Sequence, residues 1–115
     1  MSRPNHNRSD LRRRAPAHVF AALGDETRLS LVRKLCGGEP RSISELTRGS
    51  RLTRQAITKH LRVLESAKIV RSVRAGRESL FEFNPRPMEE LKQYLEFVSV
   101  EWDLALARLK AFVEA

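Results

Sequence analysis

The C-terminal third of the chain carries apolar residues at alternating steps of four and three. The positions are Leu91, Leu95, Val98, Trp102, Ala105, Leu109 and Phe112. This heptad spacing predicts one long helix from about Met88, with an apolar seam roughly 40 Å long on one side. A chain of 115 residues is too small to bury such a seam by itself. The simplest way to bury it is an interface with a second copy of the chain. We therefore expect residues 88–115 to form a dimerisation helix.

Two short helices separated by a tight turn are predicted in the middle of the chain. Ser42 and Glu45 have the spacing of a capping box, which starts the first of them. Gly49 breaks that helix, and Thr53 can cap the next, predicted over residues 54–67. The inward stripe of this second helix consists of Ile57, Leu61 and Leu64. Two helices in this arrangement are typical of a helix-turn-helix.

A β-hairpin is predicted directly after these helices. Residues 69–73 and 80–83 are rich in β-branched and aromatic residues, and Gly76 marks a turn between them. Arg74 and Arg77 lie at its tip. A helix-turn-helix followed by a basic-tipped hairpin predicts a mainly α fold of the winged helix-turn-helix type. We expect about five helices and a two-stranded hairpin wing, in a dimeric protein.

The N-terminal part is predicted to contain a basic arm and two further helices. Residues 1–14 are polar without apolar periodicity, so we expect a flexible arm, and residues 15–115 should form one domain. A helix over residues 16–23 is followed by a second helix that Asp25 can cap, ending at Cys36 before two glycines. The apolar residues of that second helix are Leu29, Leu31, Val32, Leu35 and Cys36, and the i, i+3, i+7 spacing of Leu29, Val32 and Cys36 predicts that these three share its buried face.

Positive charge is concentrated in two parts of the chain. The formal net charge is +8, of which residues 41–78 contribute +7 and residues 1–14 contribute +4. Residues 15–40 are neutral, and residues 79–115 carry −3. Charges spread for solubility would not need this segregation, whereas a surface for a polyanion would produce it.

The predicted partner is double-stranded DNA, because cations lined along one helix and one hairpin can replace the counterions of its phosphates. Long polar side chains on the same helix can also bond to base edges. The candidate DNA-binding residues are Arg51, Thr53, Arg54, Gln55, Thr58, Lys59, His60, Arg62, Arg74 and Arg77. His60 could contact either phosphate or a neighbouring side chain.

No residue pattern indicates catalysis, and we predict a non-enzymatic protein without metal or cofactor. The sequence contains neither a glycine-rich phosphate loop after a strand nor a nucleophile elbow. Its three histidines lack the spacing of metal ligands. The single cysteine, Cys36, excludes an internal disulfide and is expected to pack as a small hydrophobe.

We expect a cytoplasmic protein that does not enter the membrane. No stretch reaches the roughly 20 apolar residues that a membrane span needs. Residues 12–23 place arginines before an uncharged run, as a signal peptide does. That run is short and weakly hydrophobic and contains Pro16 and His18, so we reject this interpretation.

The sequence resembles the ArsR family of bacterial winged-helix transcriptional repressors. The resemblance covers about residues 19–84. The matching stretches are ALGDETRL from Ala22, ISEL from Ile43, QAITKHLRVL from Gln55 and AKIV from Ala67, followed by Gly76-Arg77. Each stretch alone is weakly specific, but their combined order is specific.

This resemblance implies a homodimer built on the first and last helices, which binds a two-fold symmetric operator and represses until an input releases it. The expected interface residues are Val19, Phe20, Leu91, Leu95, Val98, Trp102, Leu109 and Phe112. Metal-sensing members carry cysteines in the third helix or histidine and carboxylate ligands on the last helix. This chain has no cysteine in the third helix and no histidine on the last, so no effector is identified.

Three alternatives remain at the level of sequence. The same fold could serve as a protein-interaction or dimerisation module without specific DNA binding, although such a module does not need a basic face. A nuclease subunit would need clustered acids, and residues 41–78 contain just Glu45, Glu65 and Glu78. A thiol-responsive repressor would use Cys36 between chains.

Overall fold

A computed structural model describes residues 16–115 of the chain. The predicted arm over residues 1–14 lies outside this range. The described part of α1 covers residues 16–23. The later elements are α2 (Glu26–Leu35), β1 (Arg41–Ser42), α3 (Ile43–Thr47), α4 (Arg54–Ser66), β2 (Val70–Ala75), β3 (Glu78–Phe83) and α5 (Pro85–Glu114). The predicted winged helix-turn-helix is confirmed.

Side-chain caps begin α2, α3 and α4 where the sequence predicts them. The Asp25 carboxylate accepts a hydrogen bond from the Arg28 amide at 3.0 Å, which lowers the pKa of Asp25. Ser42 and Glu45 form the complete capping box, with both hydrogen bonds 3.1 Å long. The Ser42 amide and hydroxyl hold the pKa of Glu45 below its ordinary value. Thr53 caps α4 by accepting from the Ala56 amide at 3.1 Å.

The apolar core lies between α2, α3, α4 and the sheet. Its fully buried side chains come from each of these helices and from the segment between α4 and the wing. They are Leu31, Leu35, Leu46, Ile57, Leu61, Leu64, Ile69 and Val70. The inward stripe predicted for α4 is thus confirmed. This core fixes α4 against α2 and α3 and leaves the opposite side of α4 in solvent.

The predicted buried face of α2 is wrong in two of its three positions. Leu29 and Cys36 are exposed, whereas Val32 is buried together with Leu31 and Leu35. Helix α2 ends at Leu35, and Cys36 follows as its C-terminal cap, outside the core. The error arose because the i, i+3, i+7 spacing fits two adjacent stripes of a short helix, and packing against α4 and β3 selects between them.

The wing belongs to a three-stranded antiparallel sheet in the order β1-β3-β2. Strands β2 and β3 pair over their full length, with Ser72 opposite Phe81, and Gly76 turns between them at a φ of 65°. The third strand, β1, was not predicted. It contains just Arg41 and Ser42, too few residues to produce a periodic pattern, and it pairs with β3.

Helix α5 is 30 residues long and starts earlier than predicted, at Pro85. Proline suits this first position because its missing amide has no partner there in any helix. Pro87 and Leu91 are the buried residues of α5, and its residues from 99 onward are all exposed. The C-terminal half of α5 therefore extends beyond the domain. None of the helices within residues 16–115 combines the length and hydropathy needed to cross a membrane.

Candidate nucleic-acid interface

The exposed side of α4 presents long polar side chains in a row. Gln55, Lys59 and Arg62 stand at i, i+4 and i+7, opposite the buried stripe, and all three are exposed. Their spacing follows directly from helical geometry once Ile57, Leu61 and Leu64 are anchored in the core. A helix with this face free can enter the major groove of DNA, which is wide enough to admit it.

Further cations surround this row on the turn before α4 and on the wing. Arg51, Arg54, Arg74 and Arg77 are exposed, as the sequence predicted. Within residues 16–115, none of them forms an ion pair with a described carboxylate, nor do Lys59 and Arg62. Unpaired cations are free to meet phosphate without first losing a partner.

Arg71 is a cation of the wing that is already paired. Its Nε donates to the Glu82 carboxylate at 2.7 Å across the β2–β3 ladder, where the two residues are direct neighbours. Arg71 therefore differs from Arg74 and Arg77, although all three belong to the same hairpin.

A hydrogen bond joins the wing to α4. The Ser72 hydroxyl donates to the Glu65 carboxylate at 2.6 Å. Because side chains alternate along a strand, Arg74 lies on the same face of β2 as Ser72, the face that meets α4. Arg74 and the exposed row of α4 thus lie on neighbouring parts of one surface.

Two threonines of the predicted DNA-binding set already form hydrogen bonds within α4. Thr53 is the N-cap and accepts from Ala56. Thr58 is half-buried, and its hydroxyl donates to the Arg54 carbonyl at 2.7 Å. Its proton is therefore engaged in this conformation, while the oxygen keeps acceptor capacity.

His60 lies on the side of α4 that faces α2, not in the exposed row. Its Nδ1 is 3.3 Å from Nη1 of Arg28 and 3.8 Å from the Asp25 carboxylate. Of the two contacts considered from sequence, the structure shows the one with a neighbouring side chain. Arg28 was not predicted as a functional residue, because 32 positions separate it from His60 and no local pattern connects them.

A second surface, which we call the α5 seam, is apolar. Leu95, Trp102, Leu109 and Phe112 are exposed, and Val98 is half-buried. Near its start, the rings of Phe20 and Tyr94 meet edge to face with centroids 6.2 Å apart, which joins α1 to α5. Exposed apolar side chains in this number on one helix are typical of a surface that is covered in the assembled protein.

Two residues predicted for the interface lie elsewhere. Val19 and Leu91 are 6% and 8% exposed, because they pack in the protomer's own core. They have little surface left for a partner, and we leave them out of the α5 seam. The heptad pattern did not separate Leu91 from the seam because α5 uses its first turns to dock on the domain.

Cys36 does not pack as a hydrophobe, contrary to the prediction, because it is exposed at the end of α2. No group of three metal-ligating side chains is found among residues 16–115. The absence of a metal or cofactor stays a prediction.

Comparison with known proteins agrees with this geometry. Residues 23–73 match the family model described as a helix-turn-helix domain. The HTH-type transcriptional regulator Rv2034 of Mycobacterium tuberculosis is 32% identical over 83 residues, which cover 72% of this chain and 77% of the relative. The regulator YuzN of Bacillus subtilis, described as uncharacterized, is 39% identical over 79 residues, 64% of this chain and 86% of its own length.

Solved structures share the fold. An ArsR-like transcriptional regulator from Rhodococcus sp. RHA1 superposes with a TM-score of 0.72 at 37% identity, covering 85% of this chain and 92% of its own. The homodimeric winged helix-turn-helix DNA-binding domain Mb0332 from Mycobacterium bovis, a possible ArsR-family regulator, matches in fold alone. It has a TM-score of 0.58 at 19% identity, over 94% of this chain and 92% of that one. The chain belongs to the ArsR family of winged helix-turn-helix regulators, and it is a DNA-binding regulator of transcription, not an enzyme.

Proposed function

We propose that this regulator is a cytoplasmic repressor that binds a two-fold symmetric operator as a homodimer. Each protomer would place α4 in the major groove, with the two recognition helices one turn of DNA apart, roughly 34 Å. Promoter DNA covered in this way is not accessible for transcription. The α5 seam would form the dimer contact, together with Phe20 of α1. The homodimeric state of the Mycobacterium bovis domain supports this assembly.

The observation that carries this proposal is the exposed row of α4 beside the basic wing. We assign Gln55 and Arg54 to base edges, because amide and guanidinium groups can form bidentate hydrogen bonds with adenine and guanine. The remaining cations would hold the phosphate backbone. They are Arg51, Lys59, Arg62, Arg74 and Arg77. Thr53 and Thr58 stand beside them at the start of α4.

Replacing Gln55 by Ala is expected to weaken binding to the operator by about 1–3 kcal/mol relative to random DNA. The physical reason is that a base-edge contact contributes to the cognate sequence alone, whereas phosphate contacts contribute to any duplex. Fluorescence anisotropy with the duplex enriched from a randomised library, and with a scrambled duplex, measures both affinities.

Gln93→Ala is the matched control, because Gln93 is the other glutamine of the chain and lies exposed on α5. We expect this variant to bind both duplexes as the wild type does. Equal losses on the two duplexes for Gln55→Ala would show that Gln55 positions the protein without reading sequence.

Replacing Arg74 or Arg77 by Gln is expected to lower the slope of log K against log salt concentration by about one for each arginine. Each arginine that contacts a phosphate releases about one counterion from the DNA. A variant without that arginine releases one counterion fewer, so its binding depends less steeply on salt. Binding titrations at several salt concentrations give the slope.

Arg71→Gln provides the control on the same hairpin, since Arg71 is paired with Glu82 at 2.7 Å. We expect its slope to equal that of the wild type. A slope unchanged by Arg74→Gln and Arg77→Gln would remove the wing from the interface.

A further inference from the structure

The Arg28 side chain connects three helices. Its backbone belongs to α2, while its Nε donates to the Ala22 carbonyl at 2.5 Å and Nη2 to the Ala21 carbonyl at 3.5 Å. Both carbonyls lie in the last turn of α1, where the Ala21 carbonyl also accepts from the Gly24 amide at 3.2 Å. The remaining nitrogen, Nη1, lies 3.3 Å from Nδ1 of His60 on α4.

The chemistry of the two groups defines the direction of the contact. A guanidinium group carries donors and no acceptor, so the Nδ1 atom of His60 must accept. The Asp25 carboxylate, 3.8 Å from the same Nδ1, is too distant for a hydrogen bond. In this arrangement His60 serves as the acceptor that ties α4 to Arg28.

The position of His60 means that its contact with Arg28 restrains the movement of α4. His60 directly follows Lys59, a member of the exposed row, so a tether at His60 restrains the rotation of α4 about its axis. At the other end of the connection, α1 contacts α5 through Phe20 and Tyr94. A continuous set of contacts thus runs from the start of the α5 seam through α1 and Arg28 to α4.

We infer that Arg28 and His60 are positioning residues that set the orientation of α4 relative to α1. In a dimer built on α1 and α5, this orientation fixes the spacing and direction of the two recognition helices. The inference rests on the proposed dimeric binding of an operator and adds the residues that align the two halves. Neither residue would touch DNA itself.

The test compares Arg28→Met, His60→Leu and the double variant with the wild type. The probes are the duplex that the wild-type protein enriches from a randomised library and a scrambled duplex of equal length. We expect each single variant to lose roughly two- to thirtyfold in affinity for the enriched duplex, and nothing for the scrambled one. The double variant should lose no more than Arg28→Met alone, because His60→Leu removes a contact that Arg28→Met has already removed.

His60→Asn is the conservative variant, since its side-chain oxygen lies close to the position of Nδ1 and can accept from Arg28. We expect it to bind the enriched duplex nearly as tightly as the wild type. Sedimentation should show unchanged dimers for every variant, and circular dichroism an unchanged helix content. These two measurements distinguish a changed orientation of α4 from dissociation of the dimer or unfolding of the protein.

Three results would overturn the inference. Wild-type affinity of the single variants for the enriched duplex would show that the tether is not needed. Equal losses on both duplexes would make these residues phosphate contacts, and additive losses in the double variant would make their effects independent. If the wild-type protein enriched no duplex at all, the proposed function would fail and the inference with it.

Discussion

Replacing Trp102 by Glu is expected to convert the proposed dimer into monomers and to lower operator affinity by about a hundredfold or more. Trp102 lies in the middle of the α5 seam and is 63% exposed in the protomer. In a two-fold interface each seam residue is buried against the same helix of the other chain, so the variant would bury a carboxylate without a partner. Sedimentation equilibrium measures the dimer, and fluorescence anisotropy measures the binding of DNA.

The affinity loss follows from the linkage of two half-sites. A dimer that has bound one half-site holds its second recognition helix at a high effective concentration near the other half-site. A monomer loses this advantage even though its own α4 is unchanged. We therefore expect the variant to bind one half-site duplex as the wild-type protomer does, with the loss confined to the full operator.

Val100→Glu is the matched control for Trp102→Glu. Val100 is 59% exposed on the same helix but lies on the side opposite the seam, two residues away and half a turn round the axis. A charge there should leave the dimer intact. If both variants remained dimeric, the seam would not be the interface, and if both dissociated, the interface would include the other side of α5.

Replacing Leu61 by Ala is expected to lower the free energy of unfolding by about 2–5 kcal/mol. Leu61 is fully buried in the core that joins α4 to the other helices, so its truncation removes apolar burial and leaves a cavity. For a small domain with a total stability of about 5–15 kcal/mol, this is a large fraction. Urea denaturation at a fixed protein concentration measures the change, because dimerisation makes stability depend on concentration.

The control for this substitution is Val63→Ala on the same helix. Val63 is 42% exposed, and we expect its truncation to change the free energy of unfolding by no more than about 0.5 kcal/mol. Equal and small effects of the two substitutions would contradict the placement of Leu61 in the core. A large effect of Val63→Ala would instead indicate that this side chain is covered in the dimer.

Local signals in the sequence were sufficient for the starts of α2, α3 and α4 and for the faces of the recognition helix. Asp25, Ser42 and Thr53 each accept the cap hydrogen bond expected of them, because capping depends on residues within one turn. The same locality explains the success with α4, whose buried stripe and exposed row follow from one period of 3.6 residues. Strand β1 escaped prediction because a two-residue strand has no period.

Residue types and short-range spacing determined the winged helix-turn-helix, its basic surface and the apolar seam of α5, since each depends on contacts or periodicity within a few turns of chain. Tertiary structure alone decided which apolar residues serve the protomer's own core, which removed Val19 and Leu91 from the residues expected at the interface. It likewise paired Arg71 with Glu82, exposed Cys36 and brought Arg28 to His60 across 32 positions. These outcomes depend on how whole elements dock, and docking is a collective property of packing that no local stretch of sequence contains.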